Sequence, residues 1–382
     1  MHHNKLLHRI KDSASMKLND TVKIFEKNGK NIINLTIGQP DLDLELEIKE
    51  KLIQAVKMSY SHYTNKQGVV KLREKILEWN EIDNKYDISN VIVTPGAKYA
   101  IYTLLKSILN HGDEVIIFKP YWVSYIDMVN LCGGKPIIVE CNDDFTINFD
   151  DLKKKINSRT KAMIINNPNN PSGNILSIED MVKLNKICID SNLYLISDEI
   201  YSTIVFSKFK SFLQLEGKRS SHIIAINGVS KSIACTGLRI GYIIADKDVV
   251  SNFLKVHQHI ATCAGSLEQK ALSLISKEQY AIIHNKHKQI YKKRRNLIVN
   301  RINGKSKIHI PEGTFYMLLN IGDEFNSSLE FSNYLINNYG IALVPGEAYG
   351  IDNWVRISFA TSEEKLRNFI EIINGENLLC VK

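Results

Sequence analysis

The sequence predicts an α/β protein: a mostly parallel central sheet flanked by helices, joined to a smaller α+β unit. Three observations carry this expectation. The 382 residues exceed what one small core needs, so two domains or one large one are expected. Between about residues 90 and 245, short β-branched runs alternate with helical patterns, as in strands buried on both faces of a parallel sheet. Past about residue 280 the alternation stops. The expected boundaries are 45–280 for the large unit, and 1–44 with 281–382 for the small one.

The elements follow in order. "NVIVT" (90–94), "EVIIF" (114–118), "PIIVE" (136–140), "AMII" (162–165), "LYLIS" (193–197), "IIAIN" (223–227) and "RIGYIIA" (239–245) are continuous apolar runs of strand length. Helical patterns fill the gaps, over 97–109 and 177–191 for example. The second opens on Ser177 with Asp180 three residues on, which resembles a capping box. A long charged helix over about 280–303 leads to strands at "KIHI" (307–310) and "FYMLLNI" (315–321). A helix over about 328–339, a strand at "WVRISFA" (354–360) and a helix over about 363–373 close the chain.

Composition narrows the function. Apolar residues at 44% and charged residues at 24% are ordinary for a globular protein. No apolar run approaches the roughly 20 residues of a membrane span. The first 20 residues carry only scattered apolar positions and lack the hydrophobic block of a secretory signal, so a cytoplasmic protein is expected. The six cysteines, at 132, 141, 188, 235, 263 and 380, form no C-x-x-C pair and have no histidine at ligand spacing. Reduced thiols are expected, with neither disulfides nor a metal. The net charge of +8 concentrates in "KKK" (153–155) and "YKKRRN" (291–296). Neither run is interleaved with several aromatics, so both read as solvated helix faces, and no nucleic-acid or membrane partner is expected.

Several stretches carry chemistry. "LISDEIYS" (195–202) ends a buried strand in Asp198, where open α/β sheets bind ligands; a helix-capping aspartate is the structural alternative. "NNPNNPSG" (166–173) sets four asparagines around two Asn-Pro steps that force extended, turn-rich backbone and permit cis bonds. "TPGAKYAIY" (94–102) is a strand, a Pro-Gly turn and a helix start, so the N–H groups of Gly96, Ala97 and Lys98 can meet an anion. "PYWVSY" (120–125) places Tyr121 and Trp122 at a strand end, where a flat aromatic stacks on a planar ring or packs the core. "NGVSKSIACTGLRIGY" (227–242) sets Lys231 and Arg239 in an apolar, small-residue neighbourhood. "WVRISFA" buries Arg356, whose guanidinium requires an anion and suits a carboxylate. Together these parts describe a site for a phosphorylated aromatic aldehyde and an amino acid.

In this order the motifs resemble those of the pyridoxal-phosphate-dependent aminotransferases of class I/II, fold type I. The likeness runs from "LTIGQPDLD" (35–43) to "VRISFATSEEKLR" (355–367) and is greatest to the branch holding bacterial aspartate aminotransferases. The resemblance implies that the cofactor, pyridoxal 5′-phosphate, is attached to Lys231, which then moves the proton at the substrate's Cα. It implies that Asp198 pairs with the ring nitrogen, that Tyr201 and Asn170 donate to the ring oxygen, and that Trp122 stacks. Gly96, Ala97, Lys98, Ser230 and Arg239 match the phosphate site. Tyr63, in "YTNKQG" (63–68), matches a tyrosine reaching the phosphate of a partner subunit, which implies a homodimer. Arg356 matches the clamp on the substrate's α-carboxylate, beside Gly38 and Asn170, with residues 1–44 supplying a lid. A second cation for an acidic substrate is expected at Lys106, helped by Ser15. Two positions depart from the pattern: Cys235 stands where Ala, Leu or Met is usual, and Leu238 where the nearest branch has Trp.

The expected activity is a ping-pong transfer of an amino group from an L-amino acid, aspartate or glutamate as donor, to a 2-oxo acid. An elimination, cyclisation or oxidation on the same cofactor is the alternative. A cofactor-sensing DNA-binding regulator is disfavoured, because only about 30 residues precede "NLTIGQPD".

Overall fold

The computed structural model describes Ile10 and residues 14–216, 220–302, 307–322, 325–376 and 378–379. Its thirteen strands are β1 (Ile33–Asn34), β2 (Val91–Thr94), β3 (Glu114–Phe118), β4 (Lys135–Val139), β5 (Thr160–Asn166), β6 (Tyr194–Asp198), β7 (Ile223–Gly228), β8 (Gly241–Ile244), β9 (Ile308–His309), β10 (Tyr316–Asn320), β11 (Ile341–Ala342), β12 (Val344–Pro345) and β13 (Trp354–Ser358). Seven of them form one sheet in the order β2-β8-β7-β6-β5-β3-β4. All run parallel except β8, which is antiparallel to both β2 and β7. The apolar runs are therefore strands, as expected, with bounds shifted by a residue or two.

The continuous apolar runs follow from burial on two faces. Successive side chains of a strand point to opposite sides. Ile116 of β3 joins Met163, Leu195 and Ala225 in the core on one face. Its neighbours Val115 and Ile117 join Ile164, Ile196 and Ile226 on the other. Helices cover both sides, among them Ala97–Ile108, Ser124–Leu131, Ile178–Asp190 and Lys247–Ile260. Ser177 caps its helix by accepting the Asp180 N–H at 3.0 Å.

A smaller antiparallel sheet, β12-β13-β10-β9, packs with the helices Lys277–Arg301, Ser328–Tyr339 and Glu363–Gly375. Phe315, Phe331, Phe359 and Phe369 fill its core. Residues 33–35 of the N-terminal segment join this part of the molecule. β1 pairs in parallel with β11, Ile33 opposite Ile341, and Ser358 N–H donates to the Leu35 carbonyl at 2.8 Å.

The run 291–296 is more than a solvated face. Tyr291 and Arg294 are buried, and Arg294 Nη1 donates to Asp41 Oδ1 at 2.7 Å, so the long helix fastens the segment that follows β1. In the 153–155 run, Lys155 pairs with Asp151 one turn back at 2.6 Å. No helix among the described residues is long and apolar enough to cross a membrane, and the described cysteines are free thiols.

One close approach sets the geometry of the ligand edge. β8 passes the turn between β2 and the helix Ala97–Ile108 so closely that a Cβ on Gly241 would lie 2.4 Å from the Ala97 nitrogen and 2.5 Å from the Gly96 carbonyl carbon. Both obstacles are backbone and cannot swing aside. Gly241→Ala is expected to lower the unfolding free energy by about 2 kcal/mol, as overpacking does, seen as a lower urea midpoint. Gly237→Ala, four residues earlier with nothing within 4 Å of its Cβ, should leave the unfolding free energy within about 0.5 kcal/mol of the parent.

Candidate active site

The C-terminal ends of β2, β3, β5, β6 and β7 meet the inner edge of the small sheet around a cavity of about 530 Å³. This is where open α/β sheets collect ligand-binding groups. Trp122, Asn170, Asp198, Tyr201, Ser230, Lys231, Arg239, Ala97, Lys98, Gly38 and Arg356 all line it.

Asp198 ends β6, register-paired with Asn166 at the end of β5. Its carboxylate accepts the Tyr125 hydroxyl at 2.7 Å and the Ile200 N–H at 3.2 Å. Burial pushes it up to about 6, against those two donors and the Lys231 charge. The Asn-rich loop divides its labour. Asn167 and Asn169 hold the loop by accepting the N–H groups of Leu176 and Ser172. Asn166 braces the site, accepting the Asn170 N–H at 2.7 Å and donating to the Asp198 carbonyl at 2.9 Å. Both Asn-Pro bonds are cis. Asn170 faces the cavity, where its Oδ1 accepts from Arg356 at 3.1 Å, leaving its NH₂ to donate.

β7 runs into the short helix Val229–Ser232, which carries Ser230 and Lys231. The Lys231 ammonium donates to the Gly38 carbonyl at 2.6 Å. Burial, then Arg239 and Arg356, bring it down to about 8, opposed by Asp198. Arg239 adopts the left-handed region, φ 51°, and donates to the Thr236 carbonyl at 3.0 Å. Its guanidinium occupies the space above Gly96: a Cβ there would lie 2.4 Å from Nη2, at a backbone with φ +93°. Gly96 therefore stands behind Arg239, next to the cavity wall. The Lys98 ammonium sits 4.9 Å from the Trp122 ring centroid, lowered by burial and by Arg239, and no acidic partner lies within salt-bridge distance of it among the described residues.

Arg356 projects from β13. It donates from Nη2 to the Thr36 carbonyl at 2.9 Å and lies over the Tyr316 ring at 4.1 Å. Its buried Nε has no hydrogen-bond partner among the described residues. Tyr201 and Tyr316 bring their hydroxyls to 3.1 Å. The two departures from the family pattern lie away from this wall. Cys235 is buried, donating to the Ile233 carbonyl, and Leu238 packs on the core.

Three of the expected residues do not line the cavity, Gly96 because Arg239 covers it. Lys106 is exposed in the last turn of its helix, about two turns beyond Lys98, too far along the axis for the role expected of it. Tyr63 is 84% exposed and does not line the cavity of its own chain. The side chain of Ser15 lies outside the described residues. Conversely, Tyr125, Tyr316, Thr36 and Asn166 join the wall without having been singled out. The tyrosines stand in apolar stretches where an aromatic reads as core, and Thr36 contributes only its carbonyl to Arg356.

The wall thus turns four cations, Lys98, Lys231, Arg239 and Arg356, toward one carboxylate, Asp198. Arg356 is buried and requires an anionic partner, while Lys98, Lys231 and Arg239 offer their charges to whatever enters the cavity. This donor set fits pyridoxal phosphate and an amino acid: an arginine over a glycine turn for phosphate, a carboxylate for a ring nitrogen, an indole for a ring face, and an arginine with a free Nε.

Asp198 has a raised folded-state pKa, so the ligand-free fold binds its proton more tightly than the unfolded chain does. The stability it contributes is full below about pH 4 and is lost as pH rises through about 6. Asp198→Asn should therefore stabilise ligand-free protein at pH 7.5 by about 2–3 kcal/mol, the gain vanishing at pH 4. Equal effects at both pH values in chemical denaturation would refute the assignment.

Comparison with known proteins agrees with this geometry. Residues 30–373 match the family model of aminotransferase class I and II. An aspartate aminotransferase of Thermotoga maritima is 34% identical over 369 residues, covering 94% of this chain and 95% of that one. One from Geobacillus stearothermophilus is 34% identical, with 95% of each covered. Among solved structures, the Thermus thermophilus aspartate aminotransferase with maleate superposes with a TM-score of 0.93 at 29% identity, over 98% of this chain and 99% of that one. By sequence, motif order and backbone, the chain belongs to the aminotransferase class I and II family and is a pyridoxal-phosphate-dependent enzyme that moves amino groups between amino acids and 2-oxo acids.

Proposed function

We propose that the enzyme acts on dicarboxylic substrates, taking the amino group from L-aspartate or L-glutamate and passing it to a 2-oxo acid in a ping-pong cycle. One observation carries this reading: a fourth cation, Lys98, lines the cavity beside the three that a cofactor and one α-carboxylate would engage. Arg239 takes the phosphate, Arg356 the α-carboxylate, and Lys231 the cofactor itself. Lys98 remains, its ammonium 4.9 Å from the Trp122 ring centroid and open to the cavity, and it suits a second carboxylate. It replaces Lys106 in that role. The aspartate aminotransferases among the relatives, and the neighbour solved with maleate, a dicarboxylate, support the same class.

Pyridoxal phosphate, when bound, supplies an aldehyde for the amino group and a ring that withdraws electrons from the substrate's Cα. The residues do the rest. Lys231, with its pKa near 8, is partly neutral at physiological pH. It is thus available as nucleophile and as the base that takes the Cα proton. Asp198, ionised, would accept a hydrogen bond from the protonated ring nitrogen, and Tyr201 and the Asn170 amide would donate to the ring oxygen. Trp122 covers one face. Ser230, Arg239 and the N–H groups of Gly96, Ala97 and Lys98 hold the phosphate. Arg356, fixed by Asn170 and Thr36, orients the substrate beside Gly38. Relatives that are aminotransferases do not favour the elimination or cyclisation alternative.

The reading extends to a homodimer, in which Tyr63 reaches the phosphate of a second copy. Its exposure, with Ile53, Val56 and Met58 exposed on and just after the helix Leu46–Lys57, is what a protein contact would cover. It also places the enzyme in the cytoplasm, in keeping with its free thiols.

Amine transfer from L-aspartate to 2-oxoglutarate, monitored through the oxaloacetate released, tests the activity; no transfer from either dicarboxylic donor would refute the proposal. Lys231→Ala is expected to abolish turnover. Lys98→Met should raise KM for aspartate and glutamate about 10- to 100-fold, the loss of one charge-assisted contact, while KM for alanine stays within about threefold. Equal losses on all three donors would remove Lys98 from substrate recognition.

A further inference from the structure

Tyr125 has no part in the roles assigned above, yet it touches two of the residues that do. It is 1% exposed, in the first turn of the helix Ser124–Leu131. Its hydroxyl donates to Asp198 Oδ2 at 2.7 Å. Its ring meets Trp122 edge to face, centroids 5.3 Å apart and planes at 86°. One side chain therefore contacts both the carboxylate and the aromatic plate that would flank a bound ring.

The chemistry of this contact runs one way. Burial and the neighbouring Asp198 hold the phenol well above its ordinary range, so it stays protonated and donates. Such a bond favours the ionised carboxylate over the acid. The other donor to that carboxylate is the Ile200 N–H, at 3.2 Å and on Oδ1. Of the other titratable groups around Asp198, Lys231 favours the charge, whereas Glu199, next along the chain, and Tyr201 stand as neighbouring acids. Glu199 is tied elsewhere, accepting from Ser197 and from the Phe212 N–H.

We propose that Tyr125 is a positioning residue for the reaction: its hydroxyl keeps Asp198 ionised and aimed into the cavity, and its ring sets the angle of Trp122. This rests on the reading of Asp198 as the partner of the cofactor's ring nitrogen.

Tyr125→Phe in the holoenzyme tests it, because the ring and its contact with Trp122 are kept. The expected result is a fall in kcat of about 10- to 100-fold, the cost of one hydrogen bond to a charged group. KM for aspartate should change by less than about threefold. Removing a donor from the ionised carboxylate raises its pKa, so the acid limb of the kcat–pH profile should move to higher pH. The pH titration of the bound cofactor's absorbance, read without turnover, should move the same way. In an Asp198→Ala background the same change should cost less than about twofold, because the group it acts through is gone. An undiminished penalty in that background, or unshifted pH profiles, would overturn the positioning role. If Asp198→Ala itself left cofactor absorbance and kcat unchanged, the reading of Asp198 would fail instead.

Discussion

The arrangement depends on a carboxylate held in a place where a carboxylate is costly. Asp198 sits at the end of a central strand, buried and pushed up to about 6, with two hydrogen-bond donors. A fold selected for stability alone would place an apolar or amide side chain there. Around it, the ammonium of Lys231 is held down to about 8 by burial and by two guanidinium groups. The acid and the base are thus each displaced toward neutrality, the usual signature of a site built for proton movement.

The fold brings these groups together through the register of its strands. Parallel strands deliver Asn166, Asp198 and the Gly228 turn to one edge, because their register is fixed by cores on both faces. β8 runs back antiparallel, so Arg239 arrives beside the turn at Gly96, and the glycines there allow backbones to approach within the reach of a missing Cβ. The small sheet adds Arg356 through β13, steadied from the large side by Asn170 and from the N-terminal segment by Thr36. The proposed substrate clamp therefore joins three separate parts of the chain.

Much of this was legible in the sequence, for physical reasons. Strands buried on two faces advertise themselves as continuous apolar runs, so the seven-stranded sheet was expected nearly in full. The short pairings β1–β11 and β12–β13 were not, because two-residue strands carry no periodicity. Lys231, Asp198, Arg239 and Arg356 stood out as polar groups in apolar company, and Asn170 through its place in the Asn-Pro loop. Tyr125 and Tyr316 did not, since a tyrosine in an apolar run looks the same whether its hydroxyl is idle or bonded to the site. Lys106 and Lys98 lie on one helix, and only the helix's direction relative to the cavity separates a wall residue from a solvated one.

The central claim is that one lysine, among several cations facing the cavity, is the attachment point. Reduction of the holoenzyme with borohydride, followed by peptide mass spectrometry, tests it most directly. The account predicts a single phosphopyridoxyl modification, on Lys231 in the peptide containing "NGVSK". Modification of Lys98 in place of Lys231, or no modified peptide at all, would contradict it.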